Sequence, residues 1–375
     1  MNCSLKRLHW ASLPCQTLIS MPENYQLVES LLQQPLDSGD VICNLCLWRC
    51  RLRHGQRGFC QAHVNRNGTL YNLSYGIVSA IEVESIRNKP VYHYRPDSRV
   101  MSIGSYGCNF RCKGCHNLEI SWGVEALDKL ARGQSTDAFM SPAQMVETAL
   151  KHEVDGIAFT YSEPAVWLEY VLDVSRLAHD AGLFTLYVSN SFVTDEALDL
   201  MAPHIDVLCS DIKSLSAEFY RDICPVSTVE QVLGSIKRAA ELGIHVETRT
   251  NVIPTKNDDV DELKRIAAWI HDNLGAESPW HVTKFFPAYK LSHLPATDNA
   301  IIEQAAVAGR DAGLQHVYAH TDISCDCATE NQPISAWLEL DADAMNAVKT
   351  CAAPCCGDEG ILVKKFEREA GLLAR

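Results

Sequence analysis

Between residues 100 and 320, short apolar runs alternate with longer segments in which apolar residues recur every three or four positions. The short runs are rich in Val, Ile, Thr, Phe and Tyr, and they are apolar at nearly every position. Such runs are typical of strands that are covered by helices on both faces of a parallel sheet. The pattern predicts strands at residues 100–107, 156–161, 184–190, 205–212, 244–253, 280–286 and 314–320.

The segments between these runs carry the start and stop signals of helices. Ser141, Pro142 and Gln144 predict an N-cap, a first-turn proline and a capping-box partner before AQMVETALKH. DDVDELKRIAAWIHDNLG begins with acids, which suit the positive end of a helix, and it ends at Gly275. TVEQVLGSIKRAAELG also ends at a glycine. This alternation predicts parallel βα units.

About six or seven βα units fit between residues 95 and 320, which is fewer than a closed eight-stranded barrel requires. We therefore predict an α/β fold, a partial, open parallel barrel, for residues 91–320. Residues 1–90 and 321–375 do not continue the alternation, and we predict that they are an N-terminal extension and a C-terminal tail, both bearing cysteines.

Composition and charge narrow the possible partners. The 375 residues are 47% hydrophobic with a net charge of −14, and no basic run is present. This argues against a groove that follows a nucleic-acid backbone. The first 21 residues lack the apolar core of a signal peptide, and no apolar run approaches the ~20 residues of a membrane helix. We expect a soluble, cytoplasmic protein with neither a membrane nor a nucleic acid as partner.

The sixteen cysteines are clustered along the chain. In a reducing compartment, clustered thiols indicate metal binding rather than disulfides. Four lie at 43–60, three at 108–115, and five form a C-terminal group of Cys325, Cys327, Cys351, Cys355 and Cys356. The other four, which we interpret as buried or inert thiols, are Cys3, Cys15, Cys209 and Cys224.

Cys108, Cys112 and Cys115 form C-x3-C-x2-C directly after the first predicted strand. A structural zinc site takes four ligands, so three thiols suit a centre with one open position. A [4Fe–4S] cluster held by three thiolates likewise leaves one iron for a ligand that is not protein. A zinc knuckle or a chance triplet is the competing interpretation.

A second set, Cys43, Cys46, Cys50 and Cys60, forms C-x2-C-x3-C-x9-C. Four soft ligands at this spacing predict either a tetrahedral zinc site or an auxiliary [4Fe–4S] cluster. The C-terminal group is weaker evidence for a metal, because two of its cysteines are adjacent and cannot easily both bind one ion.

The C-x3-C-x2-C loop after a first barrel strand resembles that of the radical S-adenosylmethionine (SAM) superfamily. Several segments resemble the radical SAM enzymes of the AmmeMemoRadiSam system, which are similar to pyruvate formate-lyase activating enzymes. These segments are YHYRPDSRVMSIGSYGCNFRCKGCHNLEIS, GIAFTYSEPAVWLEY, SDIKSLSAEFYRDIC, VETRTNVIPTKND and PWHVTKFFPAYK. The resemblance as a whole extends from about residue 43 to about residue 320.

The resemblance implies a [4Fe–4S] cluster on the three cysteines, whose fourth iron binds the amino and carboxylate groups of SAM. Reductive cleavage then yields a 5′-deoxyadenosyl radical, which abstracts hydrogen from a protein or small-molecule substrate. It also implies an electron donor such as flavodoxin or ferredoxin. The alternatives are radical sulfur insertion, or another modification that uses an auxiliary cluster, and a metal-binding scaffold without enzymatic activity.

The resemblance also assigns polar residues at strand ends to SAM binding. It implies that Glu163 holds the SAM amino group, and that Asn190, Asp211 and Lys213 surround the methionine portion. It pairs Arg249 with the SAM carboxylate, and a charged residue among apolar strand positions does need a partner. Helix capping is the competing interpretation for Glu163, and turn chemistry for Asn190 and Asp211.

Other positions concern the substrate and the adenine. The resemblance assigns His281 and Tyr289 to the substrate pocket, although His281 alone also fits a hydrogen-bonded core histidine. The residue before the third cysteine is usually aromatic in the superfamily and contacts adenine, whereas here it is Gly114. Either a ring such as Trp122 substitutes for it, or the adenine is held less tightly. The C-terminal cysteines also depart from the two CPxCG-like knuckles of the family.

Overall fold

The computed structural model describes residues 19–20, 27–135, 139–226, 228–321 and 337–339. The C-terminal cysteine group, Cys325, Cys327, Cys351, Cys355 and Cys356, lies outside the described residues, as do Cys3 and Cys15. No helix in the described part of the chain is both long enough and apolar enough to cross a bilayer.

Seventeen strands and nine α-helices are present in the described residues. The strands are β1 (Ile19–Ser20), β2 (Val28–Glu29), β3 (Gln33–Pro35), β4 (Val41–Cys43), β5 (Arg51–Leu52), β6 (His63–Arg66), β7 (Thr69–Asn72), β8 (Ala80–Ser85), β9 (Arg99–Gly104), β10 (Gln134–Ser135), β11 (Gly156–Phe159), β12 (Phe184–Ser189), β13 (Val207–Asp211), β14 (His245–Val252), β15 (Trp280–Lys284), β16 (Val317–His320) and β17 (Trp337–Glu339). The α-helices are α1 (Leu118–Trp122), α2 (Val124–Ala131), α3 (Pro142–Lys151), α4 (Leu168–Asp180), α5 (Asp195–Met201), α6 (Ala217–Ile223), α7 (Glu230–Glu241), α8 (Val260–Leu274) and α9 (Asn299–Asp311).

The main sheet has nine strands in the order β17-β16-β15-β14-β13-β12-β11-β9-β8. Seven of them, β9 and β11 to β16, run parallel to one another. They correspond one to one to the seven predicted strands, so the predicted α/β fold is confirmed. The antiparallel strands β8 and β17 form the two edges, and among the described residues these edges do not pair with each other. The sheet is therefore open.

The helices begin and end where the local signals predict. The Ser141 hydroxyl accepts the amide of Gln144 and the Gln144 side chain accepts the amide of Ser141, which completes the capping box of α3. The Asp259 carboxylate caps α8 by accepting the amides of Asp261 and Glu262. The glycine predicted to end this helix, Gly275, is its C-cap.

The apolar core has two parts. A large cluster contains most of the buried apolar residues, including those of the helices. A smaller one consists of Val100, Ala158, Phe184, Leu186, Val207 and Cys209 from four strands, covered by Ile86 and Val91. Residues 86–95, which connect β8 to β9 in sequence, thus cover part of one face of the sheet. Cys209 is buried as predicted, and its sulfur lies 3.7 Å from the Pro90 carbonyl oxygen.

The N-terminal residues form two small antiparallel sheets, β2-β7-β6 and β3-β4-β5. Strand β8, which lies within the predicted extension 1–90, joins the edge of the main sheet by pairing with β9. The domain boundaries remain a prediction, but the chain passes into the barrel through a shared sheet rather than through a linker.

Candidate active site

Polar residues collect at the carboxyl ends of the parallel strands, which is where barrel enzymes place their chemistry. The cysteine loop 105–117 follows β9, Glu163 follows β11, Asn190 follows β12, and Asp211 ends β13. Three residues near these ends, Tyr161, Ser191 and Tyr289, have φ values of 68°, 56° and 45°. Left-handed backbone at a residue other than glycine is strained, and such strain concentrates at functional sites.

Neighbouring elements hold the cysteine loop in place. The Lys113 amide donates to the Ile223 carbonyl at 2.8 Å, and the Lys113 carbonyl accepts the Lys290 amide at 3.0 Å. The Asn109 side chain donates to the Phe192 carbonyl at 2.9 Å. The loop is therefore fixed by segments that follow β12, β13 and β15.

The three thiols of this loop influence one another. The pKa of Cys108 is raised first by burial, then by the charge of Glu163 and by those of Cys112 and Cys115. The pKa of Cys115 is also raised, first by burial. These mutual effects mean that the thiols share one region.

This region fits an iron–sulfur cluster by its donor chemistry. It offers three soft ligands. The guanidinium of Arg111 is close enough to Cys108 and Cys115 for their charges to raise its pKa, although burial lowers that pKa by more. Among the described residues, no three His, Cys, Asp or Glu side chains have the spacing for a single metal ion.

Glu163 is a buried carboxylate with three internal donors. Its Oε1 accepts the Ser189 hydroxyl at 2.8 Å and the Ala165 amide at 3.2 Å, and its Oε2 accepts the Asn190 amide at 3.0 Å. The contact with Ala165 caps the 3₁₀ segment Pro164–Trp167. The residue is only 2% exposed, however, and burial raises its pKa to about 7. A surface cap would not be buried in this way.

Asp211, Lys213 and Arg249 form one charged group. The Arg249 Nε and Nη2 lie 2.7 Å and 2.5 Å from Asp211 Oδ1, and the Lys213 Nζ lies 2.6 Å from Oδ2. Burial raises the pKa of Asp211, but the charges of Arg249 and Lys213 outweigh burial and leave that pKa below its usual range. The anionic partner that Arg249 needs is thus Asp211, and the group keeps a net positive charge.

Asn190 connects the carboxylate site to the cysteine loop. Its side-chain nitrogen donates to Asn109 Oδ1 at 2.8 Å and lies 3.9 Å from the Cys108 sulfur. Its Oδ1 accepts the Phe192 amide, which is the turn chemistry that the sequence also allows. Among the predicted SAM residues, Glu163 and Asn190 therefore lie beside Cys108.

His281 is a hydrogen-bonded core histidine in this structure. Its Nε2 lies 2.8 Å from Glu247 Oε2, and its Nδ1 lies 3.2 Å from His320 Nε2. The buried Glu247 also accepts the amides of Tyr92 and His93. Sequence analysis did not find Glu247. An acidic residue within an apolar strand needs a partner just as Arg249, two positions later, does.

Packing explains why Gly114 departs from the aromatic pattern. A methyl group built on Gly114 would lie 3.2 Å from side-chain atoms of Leu291 and Phe285. An aromatic ring at this position would need both neighbours to move. Trp122 instead packs edge-on against Tyr289, with 5.4 Å between ring centroids.

The N-terminal cysteines Cys43, Cys46, Cys50 and Cys60 all line one small cavity. A methyl group built on Gly58 would lie 3.6 Å from the Cys60 sulfur and 3.9 Å from the Cys50 sulfur. The backbone amides of Leu45, Trp48 and Ala62, each two residues after a cysteine, lower the pKa values of Cys43, Cys46 and Cys60, whereas burial raises them. Amide donors of this kind stabilise thiolates.

A buried ion pair lies behind Cys60. Its sulfur is 3.6 Å from His63 Nδ1, and His63 Nε2 is 3.9 Å from Glu169 Oε2 on α4. Burial lowers the pKa of His63, but the contacts with Cys60 and Glu169 outweigh it and raise the pKa to about 10. Asn72 and Leu31 donate to the Glu169 carboxylate. Sequence analysis missed this pair, since the only signal is a histidine three residues after a cysteine.

Cys224 is buried, as interpreted, but it is not isolated. Its thiol interacts with Cys112, and this interaction is the first cause of the lowered pKa of Cys112. Cys224 follows α6, which is far from the triplet in sequence, so no spacing rule connects the two.

Comparison with known proteins agrees with this fold. Residues 102–269 match the model of the Radical SAM superfamily. The chain is 35% identical over 290 residues to the uncharacterized protein MJ0808 of Methanocaldococcus jannaschii, which covers 77% of this chain and 84% of that protein.

Activating enzymes are more distant relatives. The chain is 25% identical over 166 residues to the (2S)-3-sulfopropanediol dehydratase activating enzyme of Klebsiella oxytoca, covering 44% of this chain and 52% of that protein. It is 21% identical over 203 residues to the pyruvate formate-lyase-activating enzyme of Clostridium pasteurianum, covering 51% of this chain and 82% of that protein.

An open parallel barrel with a three-cysteine loop after its first parallel strand defines a class of enzymes that bind SAM at an iron–sulfur cluster. The chain belongs to the radical SAM superfamily. It is therefore an enzyme with a [4Fe–4S] cluster and SAM as cofactors, and the predicted resemblance to activating enzymes is confirmed.

Proposed function

We propose that this enzyme holds its [4Fe–4S] cluster with Cys108, Cys112 and Cys115 and uses SAM to abstract a hydrogen atom from a protein or small-molecule substrate, as activating enzymes do. When bound, the cluster supplies the electron that cleaves SAM to a 5′-deoxyadenosyl radical. The observation that carries this proposal is the convergence of three thiols with a buried carboxylate at the carboxyl ends of the parallel strands.

The polar residues of the site have distinct parts in this proposal. Glu163 presents a carboxylate, ordered by three donors, to the amino group of SAM. Lys213 and Arg249 exceed Asp211 by one positive charge, and that surplus suits the SAM carboxylate. Because Asp211 already orients both cations, little side-chain freedom is lost on binding.

An electron donor completes the proposed reaction. We infer a small low-potential donor such as flavodoxin or ferredoxin, since the cluster must receive one electron for each cleavage. A cytoplasmic location, where thiols stay reduced, belongs to the same proposal.

The test is the release of 5′-deoxyadenosine by anaerobically reconstituted, reduced protein. Replacement of Cys108, Cys112 or Cys115 by Ala should abolish release, because two thiolates do not hold the cluster. Cys209→Ala is the matched control, since this buried thiol contacts the Pro90 carbonyl and not the loop. Full activity in any one of the three loop variants would refute the ligand assignment.

We also propose that Cys43, Cys46, Cys50 and Cys60 bind a second metal centre. The shared cavity, the amide donors and the buried His63–Glu169 pair support this proposal. The surrounding segment is too short to form its own core, although Val41, Leu45 and Leu52 pack into the large core cluster, so metal binding should add to its folding energy.

Cys46→Ala should release the second metal and expose residues 40–65 to limited proteolysis. Elemental analysis against wild type then identifies the metal: a loss of about four irons per chain indicates an auxiliary cluster, and a loss of about one zinc indicates a structural site. Unchanged metal content together with an unchanged proteolysis pattern would contradict the proposal.

A further inference from the structure

An open groove lies beside the cysteine loop. It has a volume of about 560 Å³, and its walls come from α6, from the segments that follow β14 and β15, and from Lys113 of the loop itself. Lys113 lies between Cys112 and Cys115 in sequence. Its amide donates to the Ile223 carbonyl at 2.8 Å, and its carbonyl accepts the Lys290 amide at 3.0 Å. The groove therefore reaches the loop that we propose to hold the cluster.

The lining of the groove combines buried apolar residues with exposed charged ones. Phe219, Ile223 and Leu291 are buried apolar residues of the lining, whereas Lys256 and Lys290 are exposed. A small-molecule site usually has a few fixed polar groups that converge on the ligand. An apolar centre with a charged, solvent-accessible rim is instead typical of a surface that contacts another protein.

Positive charge prevails in this lining. It contains three lysines and a histidine against two acids, and both acids lie on α6: Lys113, Lys256, Lys290, His293, Glu218 and Asp222. The whole chain, in contrast, has a net charge of −14. A local surplus of positive charge on an acidic protein attracts an acidic partner to that place and fixes its orientation.

We propose that this groove is the docking surface for the one-electron carrier that reduces the cluster, and that the carrier is a small protein with an acidic surface around its redox group. The inference rests on the proposed function, because it identifies where the required electron enters. The carrier gives up one electron and is oxidised, and the oxidised cluster takes up that electron. No bond is formed or broken in this step.

The position of Lys113 supports this assignment. Electron transfer between two proteins needs their redox groups to come close, and Lys113 joins the groove to the loop next to Cys112. The backbone bonds of Lys113 to Ile223 and Lys290 hold the loop against two walls of the groove. A carrier seated on these walls would therefore contact the loop that bears the proposed ligands.

The two exposed lysines of the rim, Lys256 and Lys290, can be changed without altering the proposed cluster or SAM ligands. The bond of Lys290 to the loop comes from its backbone amide, so a side-chain substitution retains it. Lys113 is kept in all variants, because it belongs to the cysteine loop.

The test uses the anaerobically reconstituted protein with Lys256→Glu and Lys290→Glu combined. Release of 5′-deoxyadenosine is measured at increasing concentrations of a reduced flavodoxin and of a reduced ferredoxin, both acidic carriers. It is measured separately with dithionite, a small reductant that needs no protein docking surface. The matched control combines Lys237→Glu with Lys264→Glu, which makes the same charge change at exposed lysines of α7 and α8.

We expect the Lys256/Lys290 pair to raise the carrier concentration that gives half-maximal rate about tenfold at low ionic strength, with the control pair close to wild type. The difference should shrink as salt is added, since salt screens the attraction between exposed charges. The rate with dithionite should stay unchanged. If charge reversal impairs folding, Lys256→Gln with Lys290→Gln takes its place and should give a smaller change in the same direction.

Equal responses of the groove pair and the control pair to the carriers would overturn the inference. It would also be overturned if the rate with dithionite fell as much as the rate with the carriers, or if wild type accepted electrons from dithionite but from neither carrier. These outcomes leave the proposed function intact, because wild type still releases 5′-deoxyadenosine with dithionite. Wild-type protein that binds its cluster and SAM but releases no 5′-deoxyadenosine with dithionite would instead refute the proposed function.

Discussion

Glu163 should make SAM binding depend on pH in a way that the structure quantifies. Burial raises the pKa of this carboxyl to about 7, so about nine-tenths of the free enzyme carries it protonated at pH 6 and about one-tenth at pH 8. Only the carboxylate can accept the N–H groups of the SAM amine with both oxygens. The competent fraction therefore changes about tenfold over this range, and the dissociation constant of SAM should fall about tenfold from pH 6 to pH 8.

The assay is equilibrium binding of SAM to the reconstituted, oxidised enzyme at several pH values, with Glu163→Gln as the matched variant. The amine of free SAM titrates in the same range, so the informative quantity is the ratio of the two dissociation constants at each pH. Glutamine cannot ionise, so it should bind more weakly at pH 8 and approach wild type at pH 6. A ratio that does not change with pH would refute the role assigned to the carboxylate.

Three further predictions concern the charged group and the loop. Asp211→Asn should lower the free energy of unfolding, measured in urea, by about 2–3 kcal/mol, because it leaves Lys213 and Arg249 unpaired at a site where the Asp211 side chain is only 13% exposed. A decrease of less than about 1 kcal/mol would contradict this. Arg249→Ala should weaken SAM binding about tenfold more than Lys213→Ala. The two side chains are similarly exposed, at 28% and 21%, so the difference must come from the guanidinium N–H groups that are not bound to Asp211, and equal dissociation constants would exclude it. Gly107→Ala should destabilise the fold by at least about 1 kcal/mol more than Gly182→Ala. A methyl group on Gly107 would lie 3.0 Å from the Cys60 carbonyl oxygen, whereas Gly182, which is also at positive φ, has open space around it. Similar melting temperatures for the two variants would contradict the clash.

The fold could be predicted from the sequence because its signals are local. Runs of apolar, β-branched residues mark strands that are buried on both faces, and the Ser141 capping box marks the start of α3 without reference to tertiary contacts. The edge strand β8 was not predicted. The acidic residues Glu82 and Glu84 interrupt its apolar run, and its pairing with β9 depends on the chain folding back after Asn88.

The site was predictable only where chemistry and spacing coincide. The two cysteine sets have short, fixed spacings, and the polar strand ends follow from the βα alternation. The contacts of Cys224 with Cys112 and of Glu169 with His63 join residues 112 and 106 positions apart in sequence, and no local pattern encodes them. Arg249 was expected to need an anionic partner, but only the structure places Asp211 opposite it, because adjacent strands β13 and β14 bring these positions into register.

The two cysteine sets are supported by one framework, so a change at one should reach the other. The Trp48 indole donates to the Asn109 carbonyl at 2.8 Å, and the Arg111 guanidinium donates to the Phe59 carbonyl at 2.8 Å. Each of these bonds joins the N-terminal cysteine segment to the loop of Cys108. Arg111 lies close enough to both Cys60 and Cys108 for their charges to act on its pKa. The N-terminal metal site that we propose would therefore brace the loop that holds the SAM cluster, and its electrostatic effect on that cluster would pass through Arg111.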